Sequence, residues 1–197
     1  MKNLEKFKLE NEIAFVLGGS GTLGKETCIA LSSAGAKVIN IDIKEKKLIY
    51  YKNYIKFEYF NVKNLKNFEK FLKKIVLKYG SPSIFVNCSY PFDKNWSKSS
   101  FKEVTLDSII KNTNLHLNSY VWAARVIAEL MKKKKIKGKI IQFASTYGML
   151  GQDPELYRGI NLKENAIYSS IKGGILSQTK QMAAYYGPYG IRINSVS

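Results

Sequence analysis

Tyr168 and Lys172 stand at i and i+4 in Tyr168-Ser-Ser-Ile-Lys172. On a helix, residues at that spacing share a face one turn apart. An ammonium held there lowers the pKa of a phenol and lets it act as a base near neutral pH. The pair alone carries little weight, because lysines abound in this chain and Tyr occurs 13 times. It gains meaning from what precedes it in order: a glycine-rich turn, Gly18-Gly-Ser-Gly-Thr-Leu-Gly24, then Asp42, Asn114 and Ser145.

Gly19-Ser20-Gly21-Thr22-Leu23-Gly24 satisfies G-x-G-x-x-G between an apolar, strand-like run and a helical pattern, which is the context that the motif requires. Glycines there let the backbone approach a pyrophosphate, while the helix N-terminus supplies N–H donors and a positive dipole. A tight strand-to-helix turn without a ligand is the plainer alternative. Asp42 weighs against it, because a carboxylate ending the next strand accepts bonds from adenosine ribose hydroxyls. Its charge would repel a 2′-phosphate, which favours NAD over NADP, although Lys44 and its lysine neighbours soften that preference.

These residues need elements to position them, and the pattern alternates strand and helix throughout. Strands are expected at Ile13–Leu17, Lys37–Asp42, Tyr54–Phe60, Ser83–Asn87, Lys139–Ala144 and Ile191–Val196. Helical spacing covers Thr22–Ala34, the face Leu65, Phe68, Leu72, Ile75 and Val76, then Leu106–Asn112, Asn118–Lys135 and Asn165–Tyr186. Six strands separated by helices predict an α/β fold: a Rossmann-type, doubly wound parallel sheet in one domain spanning 1–197, with strand order 3-2-1-4-5-6.

The bulk properties narrow the function classes. No apolar run approaches the roughly 20 residues of a membrane span, and the charged start Met1–Glu10 does not read as a secretion signal. Cys28 and Cys88 lie outside any metal-ligand spacing, so no metal site is expected and a reducing cytoplasm fits. The net charge of +17 invites a nucleic-acid reading. The lysines, however, are scattered, and the one dense run, Lys132–Lys135, ends a helix where cations suit the dipole. A small-molecule partner is expected rather than nucleic acid or membrane, with anionic ligands favoured by the field.

Taken in order, these residues resemble the short-chain dehydrogenase/reductase family over essentially the full length. That family's T-G-x-x-x-G-x-G appears here as Leu17-Gly18-Gly-Ser-Gly-Thr22-Leu23-Gly24, with Leu17 for Thr and Thr22 for the middle Gly; the extra Gly21 is expected to preserve the turn. Asn61-Val62 matches the Asp-Val that meets adenine. N-N-A-G appears as Asn87-Cys88-Ser89-Tyr90, a marked departure after Asn87. Asn114, Ser145, Tyr168 and Lys172 match the catalytic set.

The resemblance implies an NAD(P)-dependent oxidoreductase acting on a hydroxyl or ketone, and a homo-oligomer when full length; a non-catalytic dinucleotide-binding scaffold is the alternative. Tyr168 would exchange the proton, Lys172 would lower its pKa and hold the nicotinamide ribose, Ser145 would orient the substrate oxygen, and Asn114 would support a water that relays protons through Lys172. The cofactor would meet Gly18, Ser20, Gly21, Thr22, Leu23, Gly24, Asp42, Asn61, Val62 and Asn87. The family also implies a seventh strand and a substrate-covering segment beyond Ile191–Ser197, so the sequence is expected to lack its C-terminus.

Asn87-Cys-Ser-Tyr-Pro91, Asn114-Leu-His-Leu and the long loop before Tyr168 are similar to a narrower branch, the oxidoreductases of bacterial surface-sugar (nonulosonate) biosynthesis, so a sugar or sugar nucleotide is one expected substrate. His116, Trp96 and Trp122 are expected to pack, Cys88 to be inert, and the 149–165 loop either to shape substrate choice or to be surface.

Overall fold

Ile13–Leu17 forms strand β1 because its apolar residues pack both faces of a buried parallel sheet. The computed structural model describes residues 7–45, 55–160 and 162–197. Alongside β1 lie β2 (Lys37–Asp42), β3 (Ile55–Tyr59), β4 (Ile84–Asn87), β5 (Lys139–Phe143) and β6 (Arg192–Val196), all parallel, in the order β3-β2-β1-β4-β5-β6. The expected strand order therefore holds. Tyr54, with which the third strand was expected to open, lies outside the described residues, as do residues 1–6 of the charged start and Asn161 of the long loop.

Helices α1 (Thr22–Ser33), α2 (Phe68–Tyr79), α3 (Leu106–Asn112), α4 (Asn118–Lys133) and α5 (Tyr168–Tyr186) cover the sheet. Successive strand residues point to opposite faces. Phe15 and Leu17 pack with Ile39, Phe85, Ile140, and with Phe68 and Ile75 of α2 and Ile127 and Met131 of α4. Ala14 and Val16 pack on the other face with Val38, Val86 and Cys28 of α1.

Register places the site. Leu17 pairs with both Ile41 and Asn87, and Asn87 with Gln142, so the carboxyl ends of four central strands finish level. Three of the expected helix boundaries shift. Residues 62–67 form a separate 3-10 turn, kinked at Asn64 (φ −102, ψ 47), before α2 starts. Lys135 takes a left-handed φ of 55, so α4 ends earlier than Lys135. Asn165 lies outside α5, because its Oδ1 accepts the amide hydrogens of Ile167 and Tyr168 and caps the helix. Between α3 and α4 the chain does not leave the helix: residues 113–117 form a widened, π-type turn.

Candidate active site

The glycine turn joins β1 to α1 under strong steric constraint. Gly18 sits at φ +79, and a Cβ there would come within 2.6 Å of the Ser89 backbone. At Gly24 it would lie 2.0 Å from the Gly18 carbonyl oxygen, and at Gly19 2.5 Å from Asn40 Oδ1. Gly21 differs: its φ is −70 and a Cβ would meet only the Gly18 oxygen, at 3.3 Å. Gly21 closes the turn as expected, its N–H donating to the Gly18 carbonyl at 3.1 Å, but it is less constrained than Gly18, Gly19 and Gly24, where a Cβ would clash outright. Gly24→Ala should cost about 1–3 kcal/mol from overpacking, whereas Gly21→Ala should stay within about 0.5 kcal/mol of the parent. Urea midpoints of the two variants measure the contrast.

The N-terminus of α1 has no side-chain cap and no acidic residue in its first turn. Its amide hydrogens and dipole are left to face the cleft, which suits a phosphate. Asp42 is tied to this turn: its Oδ2 accepts from Ser20 N at 2.9 Å and its Oδ1 from Ile43 N at 2.6 Å. Ser20 Oγ in turn accepts from the buried Asn40 at 3.0 Å. A carboxylate has about four acceptor positions, so Asp42 retains capacity for hydroxyls while the backbone fixes its orientation.

A cleft of about 910 Å³ runs across these strand ends. Gly18, Ser20, Gly21, Thr22, Leu23, Asp42, Asn61 and Val62 line one half, and Tyr168 and Lys172 the other. The residues present therefore fit a dinucleotide: a cradle that side chains would fill, an uncapped helix start and a fixed carboxylate. Two expected cofactor residues do not border the cleft. Gly24 is pressed against Gly18, and Asn87 is fully buried, its Oδ1 accepting from Ser89 N (3.1 Å) and Ser89 Oγ (2.6 Å). Asn87 shapes the chain that touches Gly18 instead of facing a ligand. Asn61 is at the cleft wall, where its Oδ1 caps the following turn through Lys63 N at 2.9 Å.

At the other half, Lys172 is only 3% exposed and its Nζ donates to the Phe143 carbonyl at 2.8 Å. Three phenol rings surround that ammonium, with centroids at 5.3 Å (Tyr120), 5.6 Å (Tyr90) and 5.7 Å (Tyr168). Burial pulls the Lys172 pKa down to about 8. Ser145 follows β5 and caps the turn Thr146–Gly148 by accepting from Tyr147 N at 3.2 Å. Gly148 of that turn is packed on the Lys172–Gly173 backbone, where a Cβ would come within 2.7 Å. Ser145 is thereby joined to the Tyr168–Lys172 end, although it does not border the cleft.

Asn114 is not brought in with them. Its side chain is exposed and its Oδ1 accepts from Asn118 at 3.2 Å. Asn112 and His116, four apart, turn inward and are fully buried, so a residue midway between them faces outward. Any support that Asn114 gives to a water beside Lys172 would have to come from its backbone, since its side chain faces outward.

Sequence reasoning missed the role of Tyr90 and Tyr120, although Tyr90 stood out as a residue in place of glycine. Tyr120 anchors the turn after β4 by donating from its hydroxyl to the Ser89 carbonyl at 2.9 Å. Tyr90 begins an aromatic wall: it meets Trp96 edge-on at 5.9 Å and Phe92 at 5.9 Å, and Trp96 reaches the Tyr168 ring at 6.5 Å. The segment carrying these rings is pinned by a reciprocal pair of bonds between Asp93 and Asn112 and by Ala166 N donating to Ser99 O. Trp96 packs, as expected, against the Tyr168 ring. Trp122 is at the surface, with the Arg125 guanidinium 5.2 Å from its ring.

Before α5, Gln152 accepts from Asn165 N at 2.7 Å, and the Tyr157 hydroxyl donates to that of Tyr147 at 3.3 Å. The 149–165 loop is therefore fastened beside Ser145 and Tyr168. Cys88 lines the cleft, its thiol pushed up to about 12 by burial. Among the described residues no His, Cys, Asp and Glu cluster is arranged to hold a metal, and no helix is long and apolar enough to cross a membrane.

Known proteins resemble this chain over most of its length. The short chain dehydrogenase profile matches residues 12–197. The post-translational flagellin modification protein A of Campylobacter coli is 28% identical over 197 residues, covering 96% of this chain and 77% of that one. The sorbitol-6-phosphate 2-dehydrogenase of Escherichia coli is 27% identical over 193 residues, covering 94% and 70%. The crystal structure of a short chain dehydrogenase from Leptospira borgpetersenii with bound NAD+ superimposes with a TM-score of 0.86 at 26% identity, covering 100% of this chain and 74% of the other. The chain belongs to the short chain dehydrogenase family and is an NAD(P)-dependent oxidoreductase of that family.

Proposed function

We propose that this oxidoreductase interconverts a secondary hydroxyl and a ketone on a sugar or sugar nucleotide, with Tyr168 as the proton-exchanging group and NAD as the preferred cofactor. One observation carries the reading: a single cleft joins the glycine turn and Asp42 at one end to Tyr168 and Lys172 at the other. The backbone of Gly18–Gly21 and the α1 N-terminus would hold the pyrophosphate, Asp42 the adenosine ribose, and Val62 and Asn61 the adenine edge. When bound, the nicotinamide supplies or accepts the hydride. Tyr168 takes the hydroxyl proton in oxidation and returns it in reduction; Lys172, one turn along α5, favours its phenolate. Ser145 orients the substrate oxygen. The Tyr90 and Phe92 rings, which line the cleft, would offer apolar contact to the C–H face of a sugar ring. The sorbitol-6-phosphate 2-dehydrogenase relative, which acts on a sugar alcohol phosphate, supports a carbohydrate substrate.

Cofactor choice is the accessible test. Because both Asp42 oxygens are held by backbone amides, the carboxylate cannot swing away from a 2′-phosphate. Fluorescence titration should show NADH binding more tightly than NADPH, and Asp42→Ala should narrow the ratio about tenfold, the equivalent of about 1.4 kcal/mol. Tighter NADPH binding by the parent protein would refute the preference.

A further inference from the structure

His116 has no task in the chemistry described so far, and its surroundings are unusual. It is fully buried, and among the described residues neither ring nitrogen has a hydrogen-bond partner. A buried polar group left without a partner is costly, so such groups normally mark a function or a bound water. The imidazole packs edge-on to Tyr90 at 4.9 Å and beside Tyr120 at 5.5 Å, the same two rings that flank the Lys172 ammonium. Lys172 spends one of its three N–H groups on the Phe143 carbonyl, which leaves two. The widened turn at residues 113–117 sets His116 inward and Asn114 outward, and Ser119 Oγ locks it by donating to the His116 carbonyl at 2.7 Å.

We propose that His116 is a positioning residue whose neutral imidazole accepts a hydrogen bond relayed from the Lys172 ammonium through one water, and so holds that cation beside Tyr168. The proposal rests on the reading of Tyr168 and Lys172 as the reactive pair. Burial and the Lys172 charge pull the His116 pKa down to about 3, which keeps a lone pair available throughout the working range. The groups facing the imidazole are Tyr90 beyond β4, Tyr120 on α4 with the Cys88 thiol near it, and Lys172 on α5; Tyr168 faces the same ammonium. Burial raises the Tyr90 and Cys88 pKa values to about 12 and that of Tyr120 well above the usual phenol value, leaving Lys172 and Tyr168 as the groups to separate by mutation.

His116 is the only histidine in the chain, so one set of imidazole signals in a ¹H–¹⁵N correlation spectrum reports on it without assignment. Between pH 5 and about 10.5 the ring should remain neutral yet show an inflection as Lys172 deprotonates. That inflection should survive in Tyr168→Phe and vanish in Lys172→Met. Protonation near pH 6.5, flat shifts through the lysine titration, or an inflection that persists in Lys172→Met would each overturn the proposal. A second arm uses NADH as probe: His116→Gln, which keeps an acceptor, should bind it like the parent, and His116→Phe should bind it at least about fivefold more weakly. Equal weakening in both variants would also overturn it. Should His116→Phe fail to fold, the spectra of the parent, Tyr168→Phe and Lys172→Met still decide. Failure of the parent to bind NADH would refute the catalytic reading and leave the imidazole–lysine coupling to be judged by the spectra alone.

Discussion

Tyr168→Phe should lower turnover of any oxidisable substrate by about 10²- to 10⁴-fold, the range that a positioned acid–base group supplies. The substitution removes one oxygen and keeps the ring, so the contacts to Trp96 at 6.5 Å and Tyr90 at 6.3 Å persist. Asn165 caps the start of α5 through backbone amides, which the change does not touch. Thermal stability and NADH affinity should therefore match the parent while kcat collapses. Single-turnover absorbance of NADH measures the effect, and retention of more than about a tenth of the parental rate would exclude Tyr168 as the base.

Lys172→Met should separate stability from activity. The lysine pKa of about 8 lies below the ordinary 10.5, because burial disfavours the ammonium. Between those values the unfolded chain binds more protons than the folded one, so the parent gains stability as pH rises through that window. Below pH 8 the penalty is constant and amounts to roughly 3 kcal/mol by linkage; the bond to Phe143 O and the proposed partner His116 offset part of it. Met fills the same channel without charge. The variant should resist urea more than the parent at pH 7, by about 1–2 kcal/mol after loss of the Phe143 bond, with the gap closing towards pH 10.5. Its turnover should fall at least 100-fold and its NADH binding should weaken. A variant less stable than the parent at pH 7 would show that the ammonium is fully compensated where it lies.

Much of this was legible in the residues. Parallel strands buried on both faces are continuous apolar runs such as Ile13–Leu17, and local pattern suffices to find them. Gly18 and Gly24 were legible because a strand-to-helix turn with close backbone approach excludes side chains, a local steric fact. How strictly each glycine is required was not legible, since a motif counts glycines while only φ and the neighbouring atoms rank Gly21 below the other three. Helix ends moved where a single side chain or dihedral decided them, as at Asn165 and Lys135.

Sequence alone determined the class of fold and the residue types that meet at the strand ends: the glycine turn, Asp42, Tyr168 and Lys172; the strand order followed from the Rossmann-type reading, not from alternation alone. The fold class and those residue types follow from short-range periodicity or from positions that parallel topology brings level. Only the tertiary structure decided which side chains face the reaction. Asn114 or His116 turns inward according to the phase of one widened turn between α3 and α4, a difference of part of a helical turn that spacing does not reveal. Tyr90 and Tyr120 are separated along the chain from Lys172 and meet its ammonium only through packing of a loop, α4 and α5. The depressed lysine pKa arises there as well, because desolvation belongs to the assembled surroundings and to no residue by itself.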